Sequence, residues 1–178
     1  MPNERPPSLD PIAARRWANM PWDVTSKALT TESPWLHKEV ARRMAERLPF
    51  IRLQPNSWVC WNPIRAGLNA LALLQKTYPH AQAYLNADRP GESDWVKAQS
   101  NPSWWRPLSW FGQRLQTGPI GSNSMDMVWA NMLLHQHASP QDLLAEWHRV
   151  LAVNGFLMFS CLGPDTLKEL RGVYAAQN

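Results

Sequence analysis

The sequence predicts one α/β domain built on a parallel sheet, preceded by a helical N-terminal extension. Three observations predict it. Short apolar runs of strand length alternate with stretches of helical spacing, the pattern of strands joined by helical crossovers. Proline, glycine or asparagine brackets most runs. The length of 178 residues suits one domain with a real core. The extension is placed at 1–32 and the domain at 33–178.

The elements follow in order. Ser33-Pro34 reads as an N-cap with proline in the first turn. Leu36, Val40, Met44 and Leu48 then recur every fourth residue, so an amphipathic helix is predicted, ending near Pro49. Ser57 to Trp61, bracketed by Pro55 and Pro63, has the length and flanks of a buried strand. Leu68, Leu71, Ala72 and Leu74 predict a helix from Ile64 to Tyr78, stopped by Pro79. A second strand is expected within Gln82 to Ala87, ahead of the turn signal Arg89-Pro90-Gly91. Residues 89–124 show no sustained period, and no element is predicted there. Met125 to Met132 is an apolar strand. Ser139-Pro140-Gln141-Asp142 opens a helix as a capping-box-like start, with Leu143, Leu144, Trp147, Val150 and Leu151 as its buried face. Asn154-Gly155 turns the chain into a strand from Phe156 to Ser160. Gly163-Pro164-Asp165 leads to a last helix carrying Leu167, Leu170 and Tyr174.

Composition narrows the class. Hydrophobic content of 44% with 18% charged residues is globular, and no apolar run approaches the roughly 20 residues that span a bilayer. Met1 to Pro11 lacks the apolar core of a secretory signal. Cys60 and Cys161 sit in no short-spaced pair of the zinc or redox kind. A reduced, cytoplasmic protein with no membrane span is the expectation. The net charge is +4, and Lys38, Arg42, Arg43, Arg47 and Arg52 outnumber Glu39 and Glu46 in one segment. That segment is either a solvated helix face or a patch for an acidic partner, and nucleic acid is the weaker alternative. Of 11 tryptophans, Trp95, Trp104, Trp105 and Trp110 crowd together, either packing over the sheet or marking an interface.

Three runs stand in order: Met125-Asp126-Met127-Val128-Trp129-Ala130-Asn131-Met132-Leu133-Leu134-His135, then Leu143-Leu144-Ala145-Glu146-Trp147-His148-Arg149-Val150-Leu151, then Asn154-Gly155-Phe156-Leu157-Met158-Phe159-Ser160. In order and spacing they resemble the block from fourth to fifth strand of the S-adenosylmethionine-dependent class I methyltransferases. The sequel Leu162-Gly163-Pro164-Asp165-Thr166-Leu167-Lys168-Glu169-Leu170-Arg171 is similar to the segment after that strand in the BioC type of biotin synthesis, the malonyl-acyl-carrier-protein methyltransferases. Glu39-Val40-Ala41 and Arg47-Leu48 resemble the helix before that family's first strand. The resemblance is strong from about 124 to 171 and thin before. It implies a doubly wound, Rossmann-like methyltransferase sheet, C-terminally short because family members continue with two more strands and a substrate-covering insertion. It also implies adenosylmethionine as donor, a malonyl thioester carboxylate as acceptor and acyl-carrier protein as partner. A sheet ending at the fifth strand would leave that strand as an edge, which proteins cover or pair.

The family holds its cofactor on a loop of the form acidic-x-Gly-x-Gly-x-Gly after the first strand. Glycines there admit close backbone approach, and the following helix offers N–H groups to the cofactor's carboxylate. The matching stretch is Trp61-Asn62-Pro63-Ile64-Arg65-Ala66-Gly67, so Trp61 stands at the acidic position, Pro63 and Arg65 replace two glycines, and Gly67 alone is kept. Pro63 removes a donor, and Arg65 brings bulk, although its charge suits a methionine carboxylate. The loop is expected to be filled, with cofactor binding impaired or lost. A catalytically silent pseudo-methyltransferase that binds or stabilises another protein therefore stands beside the active enzyme. Asp88 is either the acid that grips the cofactor's ribose or an ordinary turn residue. Asn131 either faces the cleft at the fourth strand's end or simply terminates that strand. Gly67, Asp88 and Asn131 are the candidate cofactor residues, and no catalytic residue is assigned. His135 and His137 have no third ligand of suitable spacing, so no metal is expected. Cys60 and Cys161 would lie two strand spacings of about 4.8 Å apart, too far for a disulfide.

Overall fold

Strands form where apolar residues run between turn-formers. In the computed structural model, which describes residues 9–19, 34–88, 91–100, 115–163 and 165–176, they are β1 (Ser57–Trp61), β2 (Gln82–Asn86), β3 (Leu115–Thr117), β4 (Met125–Ala130) and β5 (Leu151–Phe159). The four strand pairings are all parallel, in the order β3-β2-β1-β4-β5. The helices are α1 (Pro11–Asn19), α2 (Trp35–Ala45), α3 (Pro63–Ala66), α4 (Leu68–Thr77), α5 (Glu92–Ser100), α6 (Pro140–Val150) and α7 (Lys168–Ala175). From β1 the chain winds outward to β2 and β3, then returns to the other side of β1 with β4 and β5. This is the doubly wound arrangement, with its switch point between β1 and β4.

Alternation along the strands sorts residues onto two faces. Trp58 and Cys60 pack with Ala41, Met44, Leu71 and Leu74 of α2 and α4. Val59 and Trp61 pack on the opposite face with Leu143, Trp147 and Val150 of α6. β1 and β4 are covered on both sides, which is why they read as continuous apolar runs. Fully burying one such aliphatic side chain contributes about 1.5–3 kcal/mol. Trp58, Trp129 and Trp147 bury their rings, and among the described residues their indole N–H groups find no acceptor.

The structure corrects several expectations. The helix from Ile64 to Tyr78 is broken into α3 and α4 at Gly67, whose φ is 91°. A Cβ there would lie 3.2 Å from Ala41 Cβ, so the close approach of α2 and the positive φ both favour glycine at the break. Ser139 caps α6 without a side-chain hydrogen bond, so the capping box is not made. Leu144 is exposed, and Leu151 already begins β5. Asn154-Gly155 does not precede the strand but forms a bulge inside it, because Met125 pairs with Leu151 while Met127 pairs with Phe156. Asn154 takes a φ of 68°, and a Cβ on Gly155 would meet Ala152 O at 2.9 Å and Met125 O at 3.0 Å. α5 and β3 occupy the stretch where no element was predicted. The Arg89-Pro90 turn, Ser33, and the side chains of Trp95, Trp104, Trp105 and Trp110 lie outside the described residues. Among the described strands β5 lies at one end of the sheet, and both cysteines are free, Cys60 buried and Cys161 exposed.

Candidate functional site

The switch point places the carboxyl ends of β1 and β4 side by side, leaving a crevice outside them. A cleft of about 350 Å³ lies there, lined by Asn62, Arg65, Asp88, Gln136, His137 and Leu143 among others. Ala14 of α1 also lines it, so the N-terminal helix lies against the domain's cleft.

Asn62 begins the loop after β1. Its φ of 49° is left-handed, a conformation that asparagine tolerates better than most residues. Its backbone N–H donates to Asn86 O at 2.6 Å. Its side-chain amide donates to Asp88 Oδ2 at 2.8 Å, and Asp88 N returns a bond to Asn62 Oδ1 at 2.9 Å. This reciprocal pair joins the ends of β1 and β2 and holds the Asp88 carboxylate in the cleft wall.

Arg65 follows within α3 and is only 8% exposed. Its guanidinium Nη1 donates to Gln136 Oε1 at 2.9 Å, so the side chain reaches across the crevice to the loop after β4. Its carbonyl accepts from His37 Nδ1 at 2.6 Å. Burial lowers the His37 pKa, the bond to the Arg65 carbonyl opposes that shift, and the Arg65 charge adds to it. The backbone N–H of Ile64 donates to Glu92 Oε1 at 3.2 Å. A carboxylate from the start of α5 therefore takes a donor in the first turn after β1. Burial, with the Glu92 charge adding to it, pushes up the pKa of the neighbouring Cys60 thiol.

The three residues singled out from sequence part company. Asp88 lines the cleft. Gly67 is buried against α2, and its φ and its closeness to Ala41 explain why glycine stands there. Asn131 is fully buried; its amide donates to His37 O at 2.8 Å and Ala66 O at 3.0 Å, and its Oδ1 accepts from Ser160 Oγ at 2.6 Å. It ties β4 to α2, α3 and the end of β5, and neither it nor Gly67 is among the residues lining the cleft. Trp61 turns into the α6 face, edge-on to Trp147 at a centroid distance of 6.4 Å. His135 sits in a 3-10 turn, and burial, then the charge of His37, lowers its pKa. His137 Nδ1 accepts from Ser139 N at 3.1 Å. Among the described residues no group of three His, Cys, Asp or Glu side chains could hold a metal ion. Sequence reasoning missed Asn62, Gln136 and His137 as cleft residues. Asn62 had a usable signal, an asparagine between a strand and a proline; Gln136 had none.

The family described as "Methyltransferase domain" matches residues 66–159. The malonyl-[acyl-carrier protein] O-methyltransferase of Gallionella capsiferriformans is 38% identical over 145 residues, covering 78% of this chain and 49% of that protein. The same-named protein of Laribacter hongkongensis is 38% identical over 148 residues, covering 79% and 48%. That of Legionella pneumophila is 32% identical over 146 residues, covering 80% and 49%. The chain thus spans about half the length of the curated relatives it matches. Among solved structures, a chain from the complex between the Haloferax volcanii Trm112 methyltransferase activator and a methyltransferase superposes with a TM-score of 0.52 at 18% identity, covering 68% of this chain and 51% of that one. That likeness speaks to the fold. A doubly wound parallel sheet, a cleft at its switch point and the match over 66–159 lead to one assignment: the chain belongs to the methyltransferase domain family, as a class I adenosylmethionine-dependent methyltransferase fold similar to the malonyl-acyl-carrier-protein O-methyltransferases.

Proposed function

We propose that this chain keeps the malonyl-acyl-carrier-protein methyltransferase fold while its adenosylmethionine site is impaired or lost, so that it acts by binding a protein rather than by methyl transfer. The observation that carries this reading is the side chain of Arg65, buried in the loop after β1 and bonded across the cleft to Gln136. The residues at this end offer the cofactor's carboxylate little beyond the Arg65 charge, and that guanidinium is already engaged by Gln136. Pro63 has no N–H to offer, the Ile64 N–H is engaged by Glu92, and Arg65 fills the space that glycine would leave open. Trp61, at the family's acidic position, is committed to an aromatic contact with Trp147. Acyl-carrier protein is the partner that the relatives' names suggest, and the cytoplasm is the expected compartment. No helix among the described residues is long and apolar enough to cross a membrane.

A second reading, an active enzyme, is favoured by the cleft itself. It stands at the switch point with the Asp88 carboxylate in its wall, where a ribose could be held. In that reading adenosylmethionine donates its methyl group to the free carboxylate of a malonyl thioester. Incubation with methyl-tritiated adenosylmethionine and malonyl-acyl-carrier protein separates the two. We expect no label in the thioester; stoichiometric methyl ester formation would restore the enzyme reading.

A further inference from the structure

A second concavity lies away from the cleft, between α2 and α4. It measures about 780 Å³ and is lined by Trp35, Lys38, Arg42, Ala72, Leu73 and Lys76 among others. Its apolar part is open to solvent, with Trp35 77% exposed and Leu73 36% exposed. An indole left that bare at the first position of a helix contributes little to the core; it supplies a large, stiff anchor for something else.

The surrounding charge is lopsided. Among the described residues of α2, α4 and the turn after α2, Lys38, Arg42, Arg43, Arg47 and Lys76 stand against Glu39 and Glu46, a surplus of three positive charges. The two carboxylates are answered locally. Arg42 Nη2 and Arg43 Nε donate to Glu39 Oε1 at 2.7 and 2.8 Å, and Arg42 also pairs with Glu46. These pairs hold the Glu39 carboxyl down to about 2, so Glu39 stays an anion engaged by its own helix. What the groove presents outward is an apolar strip with a cationic rim.

We propose that the α2–α4 groove is a docking site for an acidic amphipathic helix of another protein, whose apolar stripe covers Trp35 and Leu73 and whose carboxylates meet Lys38 and Lys76. The groove between two neighbouring helices suits a third helix, with ridges entering grooves. α2, at 11 residues, offers about 16 Å of wall, three helical turns. The same positive surplus repels a second copy of this chain. Glu39 also lines the groove, its carboxylate engaged by Arg42 and Arg43, and the apolar strip of Trp35 and Leu73 calls for an apolar stripe, which a helix has and a nucleic-acid backbone lacks. The site is independent of whether the cleft binds adenosylmethionine.

The test is fluorescence anisotropy of a labelled peptide of about 18 residues, five helical turns, with leucine at helical spacing on one face and glutamate on the other. It is titrated with the full chain. We expect saturable binding that weakens as salt rises, weakens about tenfold in Trp35→Ala and about fivefold in Lys76→Glu, and is unchanged in Val153→Ala on the β5 bulge. Trp35 and Lys76 lie at the surface, so far-ultraviolet circular dichroism should match the wild type in both variants. Equal affinity for the peptide with glutamine in place of every glutamate would overturn the proposal. So would unchanged binding in Trp35→Ala, or no anisotropy rise at about 1 mM chain, where even weak sites register. Displacement of the peptide by poly(U) or by phosphatidylserine vesicles at matched charge would overturn it in favour of a general polyanion surface. Dimerisation of the chain lost in Trp35→Ala would overturn it in favour of self-association.

Discussion

The loop after β1 and the β4–α6–β5 unit belong to one sheet, yet they are built to different ends. In β4–α6–β5 the side chains do what a doubly wound fold requires: Val128 and Ala130 of β4 pack with Leu143, Trp147 and Val150 of α6, and Asn131 bonds the strand end to its neighbours. In the loop after β1 the side chains are engaged by one another and by neighbouring elements. Trp61 is spent on Trp147, Ile64 N on Glu92, and Arg65 on Gln136. The contrast teaches that the fold and its chemistry rest on separate residues. Hydrophobic alternation along the strands supports the first, and a few loop positions decide the second.

Breaking the well-kept half should cost most. Trp147 is fully buried and touches both Trp61 and Phe159. Trp147→Ala should lower unfolding stability by about 3–5 kcal/mol, read from the urea midpoint; a loss under about 1 kcal/mol would mean that α6 does not anchor this face. A smaller effect is expected at Gly67, on the altered side. Gly67→Ala adds a Cβ 3.2 Å from Ala41 Cβ at a φ of 91°, which should cost about 1–3 kcal/mol. An unchanged urea midpoint would show that Gly67 is kept for reasons other than the approach of α2.

The smallest effect is one of pH. The folded His37 pKa lies below its ordinary 6.5, so folding favours the neutral ring. Stability from this group is therefore level above about pH 7 and falls as pH drops through 6.5 toward the folded value. His135 shifts the same way. Urea midpoints measured between pH 7.5 and 5 should decline in the wild type and decline less in His37→Gln. Equal slopes would remove His37 from the account.

How far the sequence could be read follows the range of the forces involved. Ser57 to Trp61 was legible to the residue, because an apolar run between prolines needs no distant partner to be recognised. The start of α6 at Pro140 and the parallel arrangement were legible for the same reason. α5 and β3 were not: a helix with Glu92 and Asp94 in its first turn shows little apolar period, and a three-residue strand shows none. The break at Gly67 was hidden because Ile64 and Leu68, four residues apart, carry the helical spacing across it, while the neighbour that leaves no room for a Cβ, Ala41 on α2, lies elsewhere in the chain. At the site, the altered loop and its expected filling were legible residue by residue, but the bonds its side chains make were not. The Asn62–Asp88 pair spans 26 positions and the Arg65–Gln136 bond spans 71, distances over which local pattern carries no information.

The central claim, that the loop after β1 is closed by the chain's own side chains, is tested most directly by calorimetric titration of adenosylmethionine into the wild-type chain and into Arg65→Gly. We predict no binding heat in the wild type at millimolar cofactor, with weak saturable binding emerging in the variant. Saturable micromolar binding to the wild type, lost or unchanged on removing Arg65, would contradict the claim.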